Sequence, residues 1–186
     1  MHRTLTSSIF PELTLLLALS ILFSGCAASH RSLSTGETEI SSKIAALQDS
    51  LTGLKPHPDP DEARRVAETA VTHSLRLADA YRVVPPARWH NVLIQVGIRE
   101  RGLCFHWTED LMQRLQALGL SSFDLHWGVA HRGSDLREHN SVVITAAGQP
   151  FEAGLVLDPW RNSGDLFWTR VDRDAYPWAP LPRDEW

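Results

Sequence analysis

An α+β domain is the fold class that three features of the sequence predict: helical periodicity as far as Gly119, a turn to two-residue alternation after it, and short turn-rich links between the alternating runs. Such links favour antiparallel neighbours, so the expected domain is helices packed on an antiparallel sheet. Ile40, Ile44, Leu47, Leu51 and Leu54 recur at four- and three-residue spacing, the stripe of an amphipathic helix. Two heptads do not make a coiled coil, so the stripe is expected to dock on the domain. The prolines of KPHPDP, residues 55–60, end it. Asp59 as N-cap, Pro60 in the first helical position and Asp61 and Glu62 in the first turn then start a second helix. Its apolar face is Ala63, Val66, Ala67, Ala70, Leu77 and Tyr81. Pro85 and Pro86 break it. WHNVLIQVGIRE, residues 89–100, predicts a shorter helix ending before Gly102, and another begins near Cys104 and runs through Leu111, Leu115 and Leu118 to Gly119.

Beyond Gly119, four strands are expected at FDLHWGVAH (123–131), HNSVVITAA (139–147), GLVLDPW (154–160) and DLFWTRV (165–171). The tail YPWAPLPRDEW, 176–186, has too many prolines for a helix or a central strand and is expected to wrap the surface. Six of the seven tryptophans follow position 100. Trp107, Trp127, Trp160, Trp168 and Trp178 are expected mainly in the core or over the sheet edge, with a groove for a peptide or glycan chain as the alternative.

At the other end, Arg3 precedes an apolar run from Leu13 to Phe23 that closes on FSGC, 23–26. It is shorter than the roughly 20 apolar residues a membrane span needs and reads as an export signal. LFSGCAAS resembles a bacterial lipobox, which implies cleavage before Cys26 and lipid attachment to it. Ala27 in the next position then implies sorting to the outer membrane. Residues 27–38, rich in Ser, Thr and Gly, read as a flexible tether. The expected organisation is a signal over 1–25, a tether and amphipathic helix over 26–60, and the domain over 61–186. Net charge of −4 and a pI near 6.1 exclude an electrostatic footprint for nucleic acid. The membrane is met through the lipid.

The chain has two cysteines. With Cys26 lipidated, Cys104 is an unpaired thiol in an oxidising compartment. A thiol attacks carbonyls as the thiolate, which the free N–H groups and dipole of a helix N-terminus favour, and the break at Arg101-Gly102 puts Cys104 there. Such a nucleophile needs a base and a group to orient it. His139 opens one strand and Asp158 closes the next, so an antiparallel pairing makes them neighbours. His106, His126 and His131 with Cys104 are zinc-ligand types, but they lack the CxxC or HxxxH spacing that brings ligands together locally. Neither a metal nor a cofactor is expected.

The words GLC (102–104), HNSVVI (139–144) and LDPW (157–160), in that order, resemble the core of the bacterial transglutaminase-like cysteine proteinases, whose catalytic domain is papain-like. The resemblance covers roughly residues 89–170. It implies a central helix that starts at the cysteine and packs on the antiparallel sheet. It implies Cys104 as nucleophile, His139 as general base and acid, and Asp158 as the orienting carboxylate. The backbone N–H of Cys104 would be one oxyanion donor, and Gln95 or Trp89 is the candidate for the second. Where some members carry acidic residues after the cysteine, this chain has Phe105 and His106, which argues against a calcium site. The resulting expectation is an envelope lipoprotein that cleaves or transfers an acyl group through a thioester, acting on a periplasmic protein or cell-wall peptide. The alternative is a non-catalytic lipoprotein of the same fold that holds such a partner.

Overall fold

The computed structural model describes residues 36–186, of which 36–41 fall in one unit and 42–186 in another. In the first, residues 36–41 are helical, so residues 36–38, expected to be tether, are helix; Glu37 and Glu39 are good helix formers. The lipid-attachment cysteine Cys26 and the export signal lie outside the described residues. Among those described, no helix is long and apolar enough to cross a membrane.

The second unit is an α+β domain that begins with helix α1 (42–52). Leu47, Leu51 and Leu54 of the apolar stripe are buried, and Ser50 accepts a hydrogen bond from the Trp168 indole at 3.1 Å. Lys43 pairs with Asp165. Helix α2 (Pro60–Ala80) starts as its first residues dictate, with Asp59 accepting from the Asp61 and Glu62 amides. Glu62 is buried and gathers the turn before the sheet, accepting from the amides and hydroxyls of Ser121 and Ser122 at 2.7–3.0 Å. Burial alone would raise its pKa; these hydrogen bonds outweigh it and hold the carboxyl at about 2.

Helix α3 (Ala87–Gln95) is shorter than the expected 89–100. It ends because Gly97 takes a φ of +77°, and the chain turns there. Helix α4 (Cys104–Gln116) begins at Cys104 and ends before Gly119, whose φ is +60°. It packs over the centre of the sheet, with α2 packed against it.

The sheet has five antiparallel strands in the order β4-β3-β2-β1-β5. They are β1 (Phe123–Ala130), β2 (His139–Ala146), β3 (Leu155–Asp158), β4 (Phe167–Arg170) and β5 (Trp178–Pro180). The last comes from the tail expected only to wrap the surface. Its prolines are tolerated because it is an edge strand that pairs over three residues with β1. β2 is buried along its whole length. On one face Val143 and Val156 pack with Phe151, Val171 and Trp178. Pleating puts Val142, Ile144, Leu155 and Leu157 on the other face, the side of Trp168 and α1.

Candidate active site

The site lies where the N-terminus of α4 meets the start of β2 and the end of β3. The turn that delivers Cys104 depends on Gly102, whose φ of +123° suits only glycine. A Cβ at that position would come within 2.4 Å of Nε2 of His90, a buried side chain. His90 holds the turn in place. Its Nδ1 accepts from the Val84 amide at 3.2 Å, and its Nε2–H donates to the Arg101 carbonyl at 2.9 Å. The Trp107 indole donates to the Gly102 carbonyl at 2.9 Å. From the third position of α4, His106 Nδ1 accepts from the Gly102 and Leu103 amides, both at 3.2 Å. An accepting nitrogen must be neutral, and burial, followed by the Arg101 cation, lowers the His106 pKa.

Cys104 is a partly exposed free thiol. Its amide lies in the first turn of α4, where it has no intrahelical acceptor. Sγ lies 3.9 Å from the Glu138 carbonyl and 3.9 Å from Asn140 Nδ2. Asn140 is held in that orientation by Trp127, whose indole donates to Oδ1 at 2.7 Å.

His139, buried at the first position of β2, donates from Nε2 to Asp158 Oδ2 at 2.7 Å. Nδ1 is then the ring nitrogen left for Cys104. Burial disfavours the imidazolium, but the hydrogen bonds to Asp158 and Cys104 outweigh it and raise the His139 pKa to about 9. Three rings surround the imidazole, with centroids at 4.7 Å for Trp160, 4.8 Å for Tyr176 and 5.4 Å for Trp178. All three are tilted to the imidazole and help to bury it.

Asp158 is fully buried and has a second partner. Arg161 Nε donates to Oδ2 at 3.0 Å and its amide to Oδ1 at 3.1 Å. The far side of the guanidinium forms a fork with Asp174 at 2.8 and 3.1 Å. Asp174 also accepts from the Trp178 indole at 3.0 Å. Burial works to raise the Asp174 pKa, and the Arg161 and Trp178 hydrogen bonds reverse this and lower it.

Cys104 and His139 open into a cleft of about 360 Å³ whose lining includes Gln95, Trp160 and Tyr176. Of the two side chains expected near an oxyanion, Gln95 lines the cleft. Trp89 does not and is half exposed, because the cleft-facing row of α3 is Arg88, Asn91, Val92 and Gln95, one helical turn apart. Reading the sequence missed Asn140, Arg161, Asp174 and the Tyr176 ring; Trp178 was expected in the core or over the sheet edge, and it lies on the edge strand against His139. Asn140 carried the one available signal, its place directly after His139 in HNS. The histidines considered for zinc are separately engaged: His106 caps α4, His126 meets Thr145 at 3.0 Å, and His131 meets Arg137 at 3.3 Å. Among the described residues no cluster of three or more His, Cys, Asp or Glu side chains is arranged to hold a metal ion.

No protein-family model, curated protein or solved structure matches this chain.

Proposed function

We propose that this protein is a lipid-anchored cysteine hydrolase of the bacterial envelope, with a transglutaminase-like, papain-type catalytic domain and Cys104 as its nucleophile. The supporting observation is the 2.7 Å bond from His139 to the buried Asp158, beside a partly exposed thiol at a helix N-terminus, with Cys104 and His139 both lining one cleft. Each part has a chemical task. His139 takes the thiol proton, giving a thiolate beside an imidazolium that Asp158 stabilises. The thiolate attacks an amide carbonyl carbon, and the C–O π pair moves onto oxygen. The Cys104 amide N–H receives that oxyanion, with the Asn140 or Gln95 side chain as second donor. When the C–N bond breaks, the imidazolium proton goes to the leaving amine and a thioester remains. Water, deprotonated by His139, attacks the thioester, releasing a carboxylic acid and restoring thiol and imidazole. Hydrolysis is favoured over cross-linking because water is always present and the cleft has no evident amine-donor site. The placement on the periplasmic side, anchored through Cys26, and the choice of a periplasmic protein or cell-wall peptide as substrate belong to the same proposal.

The test is the pH dependence of Cys104 alkylation by iodoacetamide in the full chain and its His139→Ala variant, read by mass spectrometry of the Cys104 peptide. Paired with His139, Cys104 should alkylate at least about ten-fold faster in the full chain than in the His139→Ala variant. Equal, slow alkylation in both proteins would favour a non-catalytic module that holds a partner.

A further inference from the structure

The cleft carries charge that the hydrolytic steps do not use. Arg88, on the first turn of α3, and Arg137, in the loop entering β2, line it together with Cys104. Among the described residues neither guanidinium is ion-paired with a carboxylate, in contrast to Arg101 and Arg161, which are. Arg137 donates only to His131 Nε2, at 3.3 Å, and to no acid. The cleft's own carboxylate, Glu138, is engaged elsewhere: Oε2 accepts the Gly133 amide at 2.7 Å, and Oε1 lies 3.5 Å from Asn140 Nδ2. Two guanidiniums without an ion pair therefore share a cleft with the nucleophile and a single carboxylate, Glu138, whose oxygens are turned to its own loop and to Asn140, so the arginines outnumber the acid there.

We propose that Arg88 and Arg137 select a substrate peptide with a free carboxylate next to the amide that Cys104 attacks. Guanidinium is the side-chain group best matched to a carboxylate, through paired N–H donors. The opposite charge also concentrates acidic substrates in a concave site. This inference rests on the thiol-hydrolase reading and goes further by naming the substrate class. Two sources share the chemistry: the chain-terminal carboxylate of a peptide and an acidic side chain within it.

Iodoacetate and iodoacetamide alkylate the same sulfur and differ in whether they carry a carboxylate. Their rate ratio at the Cys104 peptide, measured on the full chain, cancels changes in thiol reactivity. It also permits comparison across variants that share the His139 imidazolium. The ratio should fall about five-fold in Arg88→Gln/Arg137→Gln, the size expected for solvent-exposed charge pairs, and be retained in Arg88→Lys/Arg137→Lys. An unchanged ratio in the glutamine variant would overturn the inference while leaving the hydrolase reading intact. Failure of Cys104 to react with either reagent would overturn both.

Protection of Cys104 from iodoacetamide then separates the sources, using acetylated tri-alanine as free acid, acetylated Ala-Glu-Ala as amide, and acetylated tri-alanine amide. Protection by the first alone identifies a terminal carboxylate, and protection by the second alone a side chain. Equal effects of all three, or of none, would overturn a carboxylate-bearing peptide as substrate.

Discussion

His139 and Arg161 meet on a single oxygen: Nε2 of one and Nε of the other approach Asp158 Oδ2 at 2.7 and 3.0 Å. One buried carboxylate thus orients the imidazole and anchors an arginine whose other face grips Asp174. Asp174 in turn holds the indole of Trp178, and the Trp178 ring packs against His139. The group that aims the imidazole and the rings that enclose it are parts of one network.

Cutting that network should destabilise the fold. Arg161→Gln would leave the almost fully buried side chain of Asp174 without a cation and Asp158 with His139 alone. Breaking a buried pair from one side costs about 3 kcal/mol or more. Urea unfolding should register that loss, and Arg161→Lys should recover only part of it, because an ammonium cannot bridge both acids with planar forks. An unchanged urea midpoint in Arg161→Gln would mean that the clamp contributes nothing.

The raised pKa of His139 makes stability depend on pH with a definite sign. The folded value of about 9 lies above the ordinary 6.5, so the contribution is complete below pH 6.5 and disappears as pH rises to about 9. A tenfold difference in proton affinity between folded and unfolded chain is worth about 1.4 kcal/mol. Thermal melting should therefore show a declining stability across this window in the unmodified chain. In Asp158→Asn the decline should be smaller and move to lower pH, since the main favourable partner of the imidazolium has become neutral. A parallel decline in both proteins would assign it to other groups.

Gly102→Ala should be severe although it adds one methyl group. The φ of +123° is strained for alanine, and the new Cβ would strike the His90 ring. Together these cost on the order of 3 kcal/mol. If the fold survives, the start of α4 must shift, so Cys104 alkylation at low pH should slow with the loss of its alignment to His139. A variant with unaltered melting and alkylation would show that the turn accommodates a side chain.

Asn140 and Gln95 can be separated by a reaction that needs an oxyanion donor. Turnover of p-nitrophenyl acetate passes through a tetrahedral adduct, whereas alkylation by iodoacetamide does not. Because Asn140 Nδ2 lies 3.9 Å from Sγ and its amide is fixed by Trp127, Asn140→Ala should lower ester turnover about 100-fold and affect alkylation far less. The same split in Gln95→Ala, and its absence in Asn140→Ala, would move the role to α3.

The parts of this domain that could be read in the sequence are those with local causes. Asp59 and Pro60 start α2 through their own side chains, alternation marks β1, and short apolar runs bounded by turn residues mark β2 and β3. His139 and Asp158 could be paired in advance because a short antiparallel connection leaves few other registers. The stop of α3 was misplaced because Val96 and Ile98 continue the apolar pattern past Gly97, and both remain exposed. β5 was invisible because three residues carry no period and their pairing to β1 crosses about 50 residues of chain. Arg161 and Asp174 lie in turns, where charged residues are ordinary. Only the folded chain brings them to a buried carboxylate and its histidine.

The dependence of His139 on Tyr176 and Trp178 also sets an order of events during synthesis. Cys104 and the α4 turn leave the ribosome early, and the strand bearing His139 follows. The rings around the imidazole and the edge strand that completes the sheet are made some 40 residues later. Until residue 178 has emerged, Cys104 faces a histidine open to water on the side those rings will cover. A nascent chain thus presents the Cys104 thiol before the histidine beside it has gained the rings that enclose it.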